Sequence, residues 1–247
     1  MGLIDDIIQG EIVFPRRFAS VEERDYGLLY HVAEIPDSHD GNHACILRPR
    51  NVTEAVADVR DFDRAKGVSP RVYHLSQAGQ GRPLREALLA AGFRVTEGTD
   101  RFYVHRGPSR IQPTGELTVR RVQSPLPELL EMVGQSDSAR EMNVVRLSLR
   151  CPDYHLLVGL LGDRPVATAS VERAGPVWRV DTVMTHKPSR GKGYCRAVIH
   201  ELVRYHGHVL GGVLCLYADN PTAVRIYEEA GFEQIDAPLE SWSAWQD

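Results

Sequence analysis

The stretch 185–206, THKPSRGKGYCRAVIHELVRYH, sets two glycines among cations just before a helical pattern. Val198, Ile199, Leu202 and Val203 recur on one helix face, so an amphipathic helix is expected from about 191 to 206. Gly191 and Gly193 present bare main chain where that helix must nucleate, and Arg190 and Lys192 add positive charge beside it. The first N–H groups of a helix have no partner inside it, and the helix dipole concentrates partial positive charge there. A turn of this composition suits a phosphate or diphosphate, because no side chain keeps an anion away from the amides.

Two common phosphate loops are excluded by residue identity. A Walker loop needs Ser or Thr after Gly-Lys, and here Gly191-Lys192 is followed by Gly193. A dinucleotide fingerprint needs a third glycine, and Arg196 stands in its place. A nucleotide-dependent kinase or ligase is disfavoured for the same reason, together with the lack of a metal-binding carboxylate set.

Working outward, 117–122 reads as a strand and 126 to about 150 as one or two helices. The run 155–186 reads as three antiparallel strands, with turns at Gly162-Asp163 and Ala174-Gly175-Pro176. After the helix come a short buried strand at GVLCLYA, a helix over 221–230, and closing strands at FEQI and ESWSAW. The first half shows a shorter version of this order: strands at 26–35 and 43–48, a helix over 53–66, a strand at RVYHLS, a helix ending at glycine, and a strand at RFYVHR. The helices at 81–92 and 220–231 both stop at Ala-Gly-Phe, with Gly92 and Gly231 at the position that favours a left-handed residue. These parallels suggest an internal duplication, with a Gly-, Pro- and Ser-containing linker at 105–116.

A second signature follows the glycine turn. Arg190 and Gly193 fit R-x-x-G-x-[G/A], with Cys195 in the last place. Some thirty residues on, Asn220, Ala223, Ile226, Tyr227, Gly231 and Phe232 fit N-x-x-A-x-x-[apolar]-Y-x-x-x-G-F. Together, in this order, they resemble the GNAT superfamily of N-acyltransferases over roughly residues 117 to 247.

That resemblance implies an α/β fold (an α+β sandwich): a mixed, splayed sheet flanked by helices, with a degenerate GNAT-like N-terminal half. It divides the chain into residues 1–110 and 111–247. It implies that acetyl-CoA is held in the gap of the sheet, as co-substrate and without a metal. The main chain of Arg190, Gly191, Lys192, Gly193, Tyr194 and Cys195 would hold the diphosphate. The strand at Val183, Met184 and Thr185 would bind the pantetheine arm, with Asn220 and Ala223 beside it.

Tyr227 would act as general acid, protonating the departing thiolate; a phenol suits that role, and a packing role is the alternative. Asp181 and Glu172 are the candidate bases for the incoming amine, Asp181 first; otherwise they pair with Arg164 or Arg179. His186 is expected to be exposed and solvated. A nucleophilic role for Cys195 is disfavoured, since a bound diphosphate would cover the thiol and oppose the helix dipole. Residues 126–150, including Asp137, Ser138, Arg140 and Glu141, are expected to complete the acceptor pocket.

The first half lacks this machinery. Gly81 and Leu88 stand where the second has Asn220 and Tyr227, and RPRNVTEAV has no glycine, with Asn51 or Thr53 reading as a plain helix cap. Its expected role is to wall the acceptor site, to form a homodimer surface, or simply to pack.

Composition limits the function further. A net charge of −4 argues against a general nucleic-acid binder. No apolar run of about 18 residues marks a membrane span, and the start lacks a secretion signal, so a cytoplasmic protein is expected. Cys45, Cys151, Cys195 and Cys215 lie far apart and read as reduced, mostly buried thiols. The expected activity is N-acetyl transfer from acetyl-CoA to a primary amine of a small molecule. The alternatives are a peptide or protein N-terminal acetyltransferase and a non-catalytic acyl-CoA-binding regulator.

Overall fold

Strands that are apolar on both faces belong in the middle of a sheet with helices on either side, and the run from 154 to 185 is of that kind. The computed structural model describes residues 2–98, 101–113 and 115–247, so residue 114 of the expected linker lies outside them. The first half contains α1 (Leu3–Val13), β1 (Ser20–Arg24), β2 (Gly27–His31), β3 (His43–Ile46), α2 (Val52–Ala65), β4 (Arg71–Gln77), α3 (Arg82–Ala90), β5 (Arg94–Glu97) and β6 (Arg101–His105). The second contains β7 (Thr118–Val122), α4 (Pro127–Ser136), α5 (Ala139–Ser148), β8 (Tyr154–Leu161), β9 (Arg164–Ala174) and β10 (Val177–Thr185). It continues with α6 (Tyr194–Tyr205), β11 (Leu214–Ala218), α7 (Pro221–Glu229), β12 (Phe232–Gln234) and β13 (Leu239–Trp245). The second half has the elements the sequence suggests. The first half adds α1 and β1, which the pattern does not announce.

Two sheets result. One has the order β12-β6-β11-β10-β9-β8-β7, the other β1-β2-β3-β4-β13-β5. Each contains a run of antiparallel strands, then one parallel junction: β10 with β11 in the first, β3 with β4 in the second. Each then takes one strand from the opposite half of the sequence. β6 inserts between β11 and β12, and β13 inserts between β4 and β5. The chain accordingly forms two compact units, residues 1–10 with 100–235 and residues 11–99 with 236–247. A division at 110/111 leaves β6 and β13 on the wrong sides.

Within the first unit, α6 and α7 cover one face of the sheet through Val198, Ile199, Leu202 and Tyr227. The α4–α5 pair covers the other through Leu129, Val133 and Val145. The second unit packs α2 and α3 onto its sheet through Val56, Val59 and Leu88, with Trp242 of β13 fully enclosed. At roughly 1.5–3 kcal/mol per buried large aliphatic or aromatic side chain, these faces supply most of the folding drive. The α3 and α7 helices both end at a left-handed glycine, Gly92 (φ +83°) and Gly231 (φ +96°). All four cysteines are free thiols. Among the described residues no helix is long and apolar enough to cross a membrane.

Candidate active site

The parallel pairing of β10 and β11 is confined to Trp178↔Leu214 and Arg179↔Cys215. Beyond those residues β10 runs on to Thr185 and β11 to Ala218 without pairing to each other, so the sheet splays. Residues 180–185 therefore offer unpaired main-chain groups along the gap, an edge suited to an extended, hydrogen-bonding ligand. Val183, Met184 and Thr185 lie on that edge and are partly exposed.

The glycine turn lies directly beyond this edge, between β10 and α6. Gly191 (φ +78°) and Gly193 (φ +80°) are both left-handed, and Gly193 is the residue from which α6 starts. A Cβ on Gly191 would meet nothing within 4 Å, so conformation rather than crowding requires glycine there. Ala197 is the first residue whose N–H returns into the helix, to the Gly193 carbonyl (3.2 Å). The amides of Tyr194, Cys195 and Arg196 therefore have no acceptor within α6. Arg190 folds its Nε onto the Thr185 carbonyl (3.2 Å), tying the turn to the end of β10, and Lys192 is exposed. The expected diphosphate residues are thus brought together at one helix start.

Asp181 and Glu172 meet at one guanidinium. Arg179 Nη1 lies 2.9 Å from Asp181 Oδ2 and 3.2 Å from Glu172 Oε1, because Arg179 stands directly opposite Glu172 in the β10–β9 ladder. Arg179 and Glu172 are each 2% exposed, whereas the Asp181 side chain is 28% exposed. The guanidinium also lies 5.0 Å from the centre of the Tyr217 ring on β11. Arg164 has no part in this group. Of the two carboxylates, Glu172 is walled in as a counter-charge and Asp181 faces outward.

Tyr227 is 7% exposed on α7 and packs edge-on to Phe232 (6.1 Å). Burial raises its pKa well above the usual phenol value, and the nearby Cys195 and Asp181 push the same way. It is thus a neutral phenol close enough to Asp181 and Cys195 to feel both. The Cys195 thiol is pushed up to about 11 by burial, with Thr185 beside it pulling slightly the other way, so it is no thiolate at neutral pH.

Around this centre, the residues flanking the gap take structural places, and one expectation, that for His186, changes. Asn220 is the N-cap of α7, its Oδ1 accepting the Thr222 and Ala223 amides (2.9 and 3.4 Å), so its side chain shapes the end of the gap by holding the helix. His186 is buried, at 5% exposure, rather than solvated. Ala223, half-buried, packs against the α6–α7 core cluster. Ser138 caps α5 by accepting the Glu141 amide (3.1 Å), and Asp137 lies between α4 and α5. Among the described residues no His, Cys, Asp and Glu cluster has the makings of a metal site.

Sequence reasoning missed the register break in β10. Asp181 pairs with Ser170 but Met184 with Thr168, so β10 holds one extra residue at Thr182–Val183. It also missed the contacts of Tyr217 with Arg179 and of Tyr154 and Thr168 with Thr182. A threonine amid VDTVMT reads only as a strand former, and cross-strand partners depend on a register that sequence does not state.

Comparison with known proteins agrees with this arrangement. Residues 125–232 match the model of the acetyltransferase (GNAT) family. No curated protein sequence matches the chain. Among solved structures, a GCN5-related N-acetyltransferase from Kribbella flavida is similar over 100% of this chain and 96% of its own, with a TM-score of 0.73 at 18% identity. A GNAT-family protein from Novosphingobium aromaticivorans DSM 12444 matches over 100% of both chains, with a TM-score of 0.66 at 15% identity. A tandem GNAT protein from the clavulanic acid biosynthesis pathway covers 82% of this chain and 75% of its own, with a TM-score of 0.58 at 13% identity. At these identities the likeness is one of fold.

Proposed function

Because residues 125–232 match the acetyltransferase (GNAT) family model, we propose that the protein moves an acetyl group from acetyl-CoA to a primary amine of a small molecule. The observation that carries this is the coincidence of a two-residue parallel junction, a free strand edge and a left-handed glycine turn at one end of the gap. The amides opening α6 would take the diphosphate, and the edge at Val183–Thr185 would take the pantetheine arm as an added strand.

In this reading the amine nitrogen attacks the thioester carbonyl carbon directly. A new C–N bond forms and the C–S bond breaks. Asp181, the outward-facing carboxylate of the pair, accepts the proton that the amine loses. Tyr227, held neutral by burial, donates a proton to the departing thiolate. Glu172 balances Arg179 and holds no proton in transit.

The unit formed by 11–99 and 236–247 takes no part in holding the donor. Its α2 start is closed by Asn51, whose Oδ1 accepts the Thr53 and Glu54 amides (3.1 and 3.3 Å), and Glu54 would repel an anion. Leu88, fully buried, stands at the place of Tyr227.

A panel of primary amines assayed by release of free CoA thiol tests the proposal. Thiol release with at least one amine is expected, and Tyr227→Phe should lower its turnover by about a hundredfold with CoA affinity unchanged. Tight CoA binding without release for any amine would make the protein an acyl-CoA-binding regulator instead. Release only with peptide N-termini would move the acceptor to that class.

A further inference from the structure

Thr182 is the one non-glycine residue at positive φ among the described residues (φ +49°). A β-branched side chain is poorly suited to that conformation, because its γ substituents crowd the main chain. Such a residue stays in place only where its surroundings fix it. Two buried hydroxyls do so. Tyr154 on β8 donates to Thr182 Oγ1 (3.1 Å), and Thr168 on β9 donates to the Thr182 carbonyl (3.0 Å).

The conformation decides a register. Up to Asp181, β10 pairs residue for residue with β9, and by Met184 it has taken up one residue more. One extra residue reverses the face of every side chain that follows. Met184 accordingly packs with the α4–α5 cluster, Val183 with the α6–α7 cluster, and Thr185 beside Cys195. The same slip exchanges the N–H and C=O groups that β10 turns toward the gap.

We propose that Tyr154 and Thr168 are positioning residues. Their hydroxyls hold Thr182 left-handed and so set the face and edge that residues 183–185 present to the pantetheine arm of the donor. The contact with the donor rests on the acyl-transfer reading above; the lock on the register does not.

The double variant Tyr154→Phe/Thr168→Val deletes both hydroxyls and keeps both shapes. Adding Thr182→Gly supplies a residue that takes the left-handed conformation without cost, so it should restore the register without either bond. The first measurement needs no ligand: the alkylation rate of Cys195 by iodoacetamide, located by peptide mass spectrometry. We expect roughly a tenfold faster rate in the double variant, as one or two lost buried hydrogen bonds imply, and a return toward the original rate with glycine. The second measurement is acetyl-CoA affinity, expected to fall by about the same factor and to recover alike.

An unchanged Cys195 rate in the double variant would overturn the lock. So would a failure of glycine to reverse the change, which would make the hydroxyls mere core support. If the labelling pattern holds while acetyl-CoA affinity stays constant, the link from register to donor is wrong. If the unsubstituted protein binds no acetyl-CoA at all, the acyl-transfer reading falls and the labelling still decides the lock. Tyr154→Phe alone, with one bond removed, should show the same order in smaller steps if the double variant does not fold.

Discussion

Replacing Gly193 by alanine puts a Cβ on a residue held at φ +80° and ψ 4°, at the start of α6. An L-residue with a side chain pays roughly 1–2 kcal/mol in the left-handed region. Without a ligand to hold it, the substituted turn relaxes out of the left-handed region, the amides of Tyr194 to Arg196 swing off a common point, and binding must restore them. Roughly 1–2 kcal/mol corresponds to about a 5- to 30-fold larger dissociation constant for CoA. Gly191→Ala should behave the same, since its Cβ would touch nothing within 4 Å and its φ of +78° is equally unfavourable. Isothermal titration against CoA and against pantetheine, which lacks the diphosphate, separates the causes. Both variants should lose affinity for CoA while pantetheine binding is unaffected. Equal losses for the two ligands would refute the diphosphate contact, because they would report a general distortion of the gap. Unaltered CoA binding would refute it more directly.

The two carboxylates give a second test. Asp181→Asn should slow single-turnover acetylation by about 10²-fold or more, whereas Glu172→Gln, behind Arg179, should stay within a few-fold; the reverse ranking would exchange their roles. A third concerns stability. Asp63 on α2 is buried and accepts the Arg71 amide (3.1 Å), and burial pushes its carboxyl up to about 7 against the opposing pull of Arg71. The folded chain therefore keeps this proton between about pH 4 and 7 while the unfolded chain has lost it, so stability falls as pH rises through that window. The loss is on the order of 3–4 kcal/mol by neutral pH. Asp63→Asn should raise the urea midpoint at pH 7.5 and leave it nearly unchanged at pH 4; equal midpoints at pH 7.5 would show the carboxylate to be solvated.

The parts of the site visible in the sequence are those that a single residue type enforces locally. Gly191, Gly193, Gly92 and Gly231 mark left-handed positions wherever they occur, and their spacing to Arg190, Asn220 and Tyr227 completes two signatures. Parts that depend on pairing were hidden. The link among Glu172, Arg179 and Asp181 exists only in one β9–β10 register, and the break at Thr182 leaves no compositional trace. The placing of β6 and β13 was hidden for the same reason: alternating apolar residues specify that a strand has a buried face, not which neighbour it meets. α1 was missed because Gly2, not Ser, Thr, Asp or Asn, precedes LIDDIIQGEIV, and Gly10 lies inside it.

The reciprocal placing of β6 and β13 also bears on how the chain matures during synthesis. Residues 71–77 and 94–97 emerge from the ribosome early, yet the strand that bridges them, Leu239–Trp245, is made some 140 residues later. Until then the early half waits with an open slot and two bare strand edges, a condition that invites capture by chaperones or by another nascent copy.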